Sequence, residues 1–427
     1  MTAKTKPPTA AEIFGADKGS LSDGVPREFQ AVGDDCYRLA LLSLGLEFLI
    51  DRLRREHHEL QGELTVRCTL AGARTFDGTL SVADLNLSSV RARRERAAYL
   101  TERSKAPEID WLGLLEELCQ RVLNAERVGA PALHLRDVAP SPLDDTINVE
   151  SFPVLRQHPM CLFGDGGSLK SYLALYLAGG LTQQGLKVLY ADWEFTPEAH
   201  RDRLVALFPD PPDVLYAKCE RPLVNEADRL RRIVREERID YLIGDSVAFA
   251  CDGAPESAEV AAAYFRGLRV IGVGSLSVAH MTKAETGDLK PLGSAGWHNG
   301  FRSTWYVQRG AEGADPDQPT IALFHRKSNV GRLAAPLGYT FTFTADRTTL
   351  RTTNLATVPD LAEKLPLWQR VREIVKYGPL TLARLAKDLE ANVETLDRTV
   401  RRRRDVFARV DGIDGVSRIA LVERRTL

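Results

Sequence analysis

The stretch CLFGDGGSLKSYLALYLA, Cys161–Ala178, reads as a short buried strand, a glycine turn and a helix. Gly164, Gly166 and Gly167 permit backbone angles closed to other residues. Strand, turn and helix together aim several backbone N–H groups, and the positive end of a helix dipole, at one anion-sized cavity. The string follows the phosphate-loop pattern G-x-x-x-x-G-K-S/T except at Leu169, which stands where the second glycine would be. That position opens the helix, so a leucine is expected to fit there with a helical φ. The cradle comprises Gly164, Asp165, Gly166, Gly167, Ser168, Leu169, Lys170 and Ser171. Lys170 is expected to reach the β- and γ-phosphates and the Ser171 hydroxyl to ligate Mg²⁺.

Further polar residues follow at strand ends, in chain order. LKVLYADWEF ends in Asp192 and Glu194, and a carboxylate there is placed to polarise an attacking water. The alternative is an acidic cap for the helix that Thr196 and Pro197 open. RIDYLIGDSVAF ends in Asp245, placed to hold the water shell of Mg²⁺. VGSLSVAHMTKAE ends in His280, beside the expected γ-phosphate. Beyond a glycine-rich loop lie Arg302 and, in HRKSNVG, Arg326 and Lys327. A cation from a neighbouring subunit there would stabilise transition-state charge.

Around this segment, residues 133–346 alternate short apolar strands with helices, the pattern of a mostly parallel sheet. The expected strands are MCLFG, KVLYADW, DVLYA, DYLIGDS, VGSLSVAH, STWYVQR and TIALFHRK. Residues 1–30 read as a flexible tail without a signal peptide's apolar core. Residues 31–132 read as a small α/β unit without a chemical motif. Within it, YRLALLSLGLEFLIDRLRREHHEL is expected to be helical, and GELTVRCTLAG and DGTLSVADLNLSS to be strands. Ser88 or Ser89 is placed to cap an arginine-rich helix whose charged side reads as a solvated face. A further helix carries Trp111, Leu114, Leu115, Leu118 and Val122 inward.

The segments GDGGSLKS, YADWE, YLIGDS, VAHMTK, GSAGWHNGFRSTW and HRKSN together resemble a RecA-fold P-loop ATPase of the RepA-like (DnaB/KaiC-related) group. The resemblance covers about half the chain. It implies an ATP and Mg²⁺ site with Glu194 as general base, Asp245 organising the metal and His280 sensing the γ-phosphate. It further implies Arg302 as an arginine acting on a neighbour's site, with Lys327 as a second cation. Leu169 is the departure, and it bears on turnover more than on binding. Helicase members of this group form rings, commonly hexamers, on single-stranded DNA. Two loops would then face the ring's centre. The one after Asp245 is acidic, whereas the one after His280 carries Lys283, Lys290 and His298, suited to a phosphate backbone.

Residues 347–365 read as a linker. The last segment, 366–427, reads as three short helices and a hairpin, resembling a winged helix-turn-helix. Its third helix carries Arg398, Arg401, Arg402, Arg403 and Arg404, with Arg409 and Arg418 on the hairpin. This cluster suits a DNA backbone, or else is a solvated face on a protein-contact module.

Composition narrows the class. With 427 residues, 44% hydrophobic and 27% charged, the chain suits several soluble domains. A net charge of −1 supplies no global attraction to polyanions, so any such site must be local. No run approaches the roughly 18 apolar residues of a membrane span. Six scattered cysteines without C-x-x-C indicate neither zinc nor disulfides and fit a reducing cytoplasm. The first expectation is therefore an α/β, ATP-dependent DNA motor with an accessory domain and a winged helix. The alternatives are an ATP-gated DNA-binding or regulatory module with slow or no hydrolysis, and a recombination- or defence-type ATPase.

Overall fold

Alternation of apolar residues, not helical periodicity, governs the start of the chain. The computed structural model describes residues 20–33, 35–129, 132–140, 144–281, 291, 295–310, 315–412 and 414–422. The chain divides into two units, Met1–Pro140 and Ser141–Leu427. The first holds an antiparallel sheet in the order β1 (Glu28–Gly33), β2 (Cys36–Leu41), β3 (Leu46–Glu56), β4 (Glu59–Cys68) and β5 (Thr79–Asn86). Two helices follow, α1 (Val90–Ser104) and α2 (Trp111–Val128).

The expected helix over YRLALLSLGLEFLIDRLRREHHEL is therefore corrected to β2, a 3-10 turn, β3 and the start of β4. Gly45 turns the chain with φ 63°, and His57 and His58 both take positive φ. Two consecutive left-handed residues make the tight primed hairpin turn, here without the Asn-Gly signal that would announce it. Leu39, Leu41, Leu46, Phe48 and Ile50 all enter one core with Leu64 and Val66. Two adjacent strands of alternating residues thus imitate a helix that is apolar on most sides.

Two further expectations in this unit hold, and one changes. Ser89 caps α1 by accepting from the Ala92 N–H, and Trp111, Leu114, Leu115, Leu118 and Val122 of α2 are buried. The arginine side of α1 is not simply solvated. Arg93, 8% exposed, donates to the Leu87 carbonyl and pairs with Glu116. Arg96 donates to the Asp84 carbonyl and Arg103 to that of Leu80. These donors occupy carbonyls along and just beyond β5, an edge strand that would otherwise offer them to another chain. Residues 28–30, read with the tail, already belong to β1.

The second unit opens with a hairpin, β6 (Thr146–Val149) and β7 (Phe152–Leu155). Its main sheet contains β8 (Pro159–Gly164), β9 (Val188–Asp192), β10 (Leu215–Lys218), β11 (Tyr241–Asp245), β12 (Gly274–His280) and β13 (Ser303–Arg309). It continues into β14 (Thr320–Ser328), β15 (Leu337–Phe343) and β16 (Thr348–Thr352). Among the described residues the order is β10-β9-β11-β12-β8-β13-β14-β15-β16. Neighbours are parallel from β10 through β13 and antiparallel beyond it. The result is a mixed α/β unit around a large, mostly parallel sheet.

Both faces of that sheet are covered, as parallel strands require. Met160, Leu162, Tyr190, Tyr241, Ile243 and Val278 face the helices α3 (Lys170–Gln183) and α4 (Pro197–Leu207). Their strand neighbours Cys161, Phe163, Leu189, Leu242 and Ala279 face α5 (Leu223–Glu237) and α6 (Ala258–Ile271). The period-2 alternation of side chains sorts the residues between the two cores.

The expected linker is structured. It contains β16, and Leu355, Leu361 and Leu365 bury themselves with Ala322 of β14. Three helices then follow, α7 (Leu367–Val375), α8 (Leu382–Asp388) and α9 (Val393–Arg402), and the hairpin β17 (Phe407–Asp411) and β18 (Ser417–Leu421). They share one apolar cluster that includes Val371, Leu385, Leu396, Val400, Phe407 and Ile419. Asn392 caps α9 by accepting from the Glu394 and Thr395 N–H groups.

Candidate functional site at the carboxyl edge of the sheet

Strand register brings the sequence-assigned residues to one edge. Gly164 pairs with His280, and Asp245 pairs with Asp192 on one side and Val278 on the other. The carboxyl ends of β8, β9, β11 and β12 thus lie side by side, with the strand order passing from one side of β8 to the other. Open parallel sheets bind ligands in such a crevice.

A cavity of about 220 Å³ opens there. It is lined by Gly167 to Tyr172, Glu194, Phe195, Arg203, Asp245, Val278 and His280. Of the residues picked out in the sequence, Lys170, Ser171, Glu194, Asp245 and His280 converge on it. Gly164 lies at the base of the loop, where a Cβ would meet the Val307 carbonyl oxygen at 2.2 Å. Gly167 has φ 71° and open space around it.

Leu169 departs from the helical φ expected of it. Its φ and ψ are 63° and 20°, the left-handed conformation that the usual glycine would adopt. The loop keeps the glycine geometry although the residue has changed, at a cost of about 1–2 kcal/mol for an L side chain. The side chain leans on the α3-side core and lines the cavity. It provides no cap for α3, so the first-turn N–H groups of that helix are left to other acceptors.

Lys170 is 5% exposed and folds over its own loop. Its Nζ donates to the Gly164 carbonyl at 3.1 Å, the Asp165 carbonyl at 2.6 Å and Ser168 Oγ at 3.1 Å. Burial depresses its pKa, opposed by the nearby Asp245 and Asp165. Asp245 is fully buried, and burial pushes its pKa up. The Tyr190 hydroxyl, donating to Oδ2 at 2.8 Å, and the neighbouring Ser171 hydroxyl work in the opposite sense. Asp245 Oδ1 is buried without a hydrogen-bond partner among the described residues.

These features fit a magnesium nucleotide. A buried, unpartnered carboxylate oxygen beside a serine hydroxyl suits the water shell of a hard cation. An uncapped helix start after a glycine loop suits phosphate. Arg203 is a further cation there that sequence reasoning missed. Its guanidinium lies 4.7 Å from the Tyr172 ring and 4.4 Å from the Phe195 ring. The usable signal was that a helix following Glu194 must pack back over the loop. Arg309 also comes near, with Nη1 3.4 Å from the Gly167 carbonyl oxygen.

Arg302 and Lys327 lie elsewhere. The Arg302 N–H donates to the carbonyl of Pro159, the first residue of β8, whereas the loop follows its last. Five residue steps of strand separate the two ends, about 16 Å. Lys327 pairs with Thr304 in the sheet and donates to the Phe301 carbonyl at 2.7 Å. Burial, and then Arg302, depress its pKa. Both cations are thus at the edge opposite the cavity.

In the C-terminal elements Arg398, Arg401, Arg402 and Arg404 are exposed. Arg401 pairs with Asp397 at 2.8 Å, Arg409 pairs with the same carboxylate, and Arg403 lies 4.4 Å from the Trp368 ring. Arg401, Arg404 and Arg409 line a depression with Phe407 and Ala408. Lys283 and Lys290 lie outside the described residues.

No protein-family profile and no curated protein matches the chain. Among solved structures, the ATPase domain of a DnaB-family helicase aligns at 11% identity and TM-score 0.37, over 45% of this chain and 83% of its own. A KaiC-like protein from the archaeon Pyrococcus horikoshii OT3 aligns at 14% identity and TM-score 0.37, over 46% of this chain and 91% of its own. At that degree of overlap the site stands on its own geometry. No helix among the described residues is long and apolar enough to cross a membrane.

Proposed function

We propose that the second unit is a RecA-like P-loop ATPase of the RepA-like (DnaB/KaiC-related) type, acting on DNA. The observation that carries the reading is the convergence of Lys170, Ser171, Glu194, Asp245 and His280 on one cavity at the carboxyl edge of a parallel sheet. Lys170, the loop and the first turn of α3 would hold the triphosphate. Ser171 and the free Oδ1 of Asp245 would hold Mg²⁺ and its waters, and the metal would neutralise phosphate charge. Glu194 would orient and deprotonate the attacking water, and His280 would register the γ-phosphate.

Arg302 is about 16 Å from the loop of its own chain, measured along β8. That separation suits a role at a neighbour's site, with Lys327 beside it, in a self-associated form such as a ring. The order helix, helix, helix, hairpin after residue 366 supports a winged helix, and the exposed Arg398, Arg402 and Arg404 support contact with a DNA backbone.

A second reading has its own support. Leu169 holds a strained conformation at the mouth of the loop, and Lys170 spends three hydrogen bonds on that loop. Both favour an ATP-gated DNA-binding module whose hydrolysis is slow. Phosphate release with and without single-stranded DNA separates the two. Hydrolysis stimulated by DNA, and abolished by Lys170→Ala and by Glu194→Gln, establishes the ATPase. ATP retained without turnover favours the gated module, and no ATP binding at millimolar supply rejects both.

A further inference from the structure

The alternation of β-strand side chains sends Tyr190 and Asp192 of β9, Tyr216 of β10 and Asp245 of β11 to the sheet face beneath α4. There they meet His200, 4% exposed, whose ring lies 4.7 Å from Tyr190, 5.7 Å from Tyr216 and 5.8 Å from Phe195. Asp192 is fully buried at the centre of this group. Its Oδ1 accepts from the Glu194 N–H at 3.1 Å and lies 3.6 Å from His200 Nε2. Its Oδ2 accepts from the Phe195 N–H at 2.9 Å and the Tyr216 hydroxyl at 2.8 Å, and lies 3.9 Å from Lys218 Nζ.

We infer that Asp192, held by Tyr216 and packed against His200, is the positioning residue that sets Glu194 at the carboxyl edge. The inference rests on the ATPase reading. Asp192 itself does not line the cavity, so it is not a second general base. Instead its two oxygens fix the backbone of the two residues that do line it, Glu194 and Phe195. The Tyr216 hydroxyl also donates to the Phe195 carbonyl at 3.3 Å, as does Lys218 Nζ at 2.7 Å. The turn carrying the carboxylate is therefore tied from both its N–H and its C=O groups. A carboxylate held this way keeps its position without a direct side-chain bond of its own. Displacement of a reacting group by about 1 Å costs on the order of 100-fold in rate.

Two variants test this. Asp192→Asn keeps the shape and one acceptor, but presents an NH₂ group toward the Phe195 N–H. Tyr216→Phe removes one donor and leaves the carboxylate in place, so it serves where the first variant folds poorly. In the full-length protein, kcat is expected to fall about 10- to 100-fold in Asp192→Asn, with the ATP dissociation constant within about twofold. Tyr216→Phe should show the same split with a smaller loss. Without nucleotide, the Glu194 and Phe195 amides should exchange at least about tenfold faster in Asp192→Asn, with α3 unchanged.

Wild-type turnover in both variants, or a loss of ATP affinity equal to the loss of kcat, overturns the positioning role and leaves the ATPase reading intact. An inactive wild type overturns the ATPase reading. The exchange measurement then decides the turn by itself, and unchanged protection at Glu194 and Phe195 rejects the inference.

Discussion

Tyr190 donates its hydroxyl to Asp245 Oδ2 at 2.8 Å, while Oδ1 of the same fully buried carboxylate has no partner among the described residues. One oxygen is thus anchored within the fold and the other is left for a ligand. The arrangement disfavours the charged carboxylate, because burial is the largest influence on it and raises its pKa.

That upward shift has a definite pH signature. Between the unfolded and the folded pKa of Asp245 the native state holds the extra proton, so stability contributed by this group falls as pH rises through that interval. Asp245→Asn removes the cost. Its stability gain over the wild type should be larger at pH 7 than at pH 4, and Tm at pH 7 should rise by about 2–4 °C. Urea denaturation at the two pH values and thermal melts without nucleotide check this. The same variant should lose Mg²⁺-dependent ATP binding.

Leu169 provides a test of backbone strain. In an ordinary helix alanine is more favourable than glycine by about 1 kcal/mol. At a left-handed φ of 63° the order should reverse. Leu169→Gly is expected to be more stable than Leu169→Ala by about 1 kcal/mol. Urea midpoints of the two variants measure the difference.

Arg203 lies between two aromatic rings on the cavity wall. Arg203→Ala should weaken ATP binding about tenfold, since each desolvated cation–π contact and each charged hydrogen bond is worth roughly 1–2 kcal/mol. Arg203→Lys should recover part of the loss. Titration calorimetry on the full chain gives both numbers.

The arginines of α9 and the turn after it should divide into two groups. Arg401 shares Asp397 with Arg409, whereas Arg402 and Arg404 are exposed without an ion pair seen among the described residues. Arg402→Ala and Arg404→Ala should each lower the salt slope of DNA binding by about 0.9, the share of one phosphate contact. Arg401→Ala should change it less. Fluorescence anisotropy across a salt series reads the slope.

Much of the site was legible because its parts are local. A strand, three glycines and Lys170-Ser171 occupy eleven consecutive positions, Cys161–Ser171, and hydrogen bonds between near neighbours decide their shape. The seven expected strands of the central region correspond to β8 through β14. Arg203, Tyr190 and Tyr216 were not legible as partners of the site. They reach it only because β9, β10 and β11 pair in register and α4 packs across them.

The order of apolar strands, the phosphate-type loop and the arginine-rich last helix follow from the chain alone, since periodicity and turn chemistry act over a few residues. Three matters waited on long-range contacts. Residues 37–60 form paired strands because the hairpin turn at His57 and His58 and a shared core outweigh an apparently helical pattern. Leu169 takes the left-handed conformation because the strand before it and the helix after it both pack against the same sheet. Arg302 sits at the end of β8 opposite the loop because β13 runs parallel to β8, and only strand pairing sets which end a residue occupies.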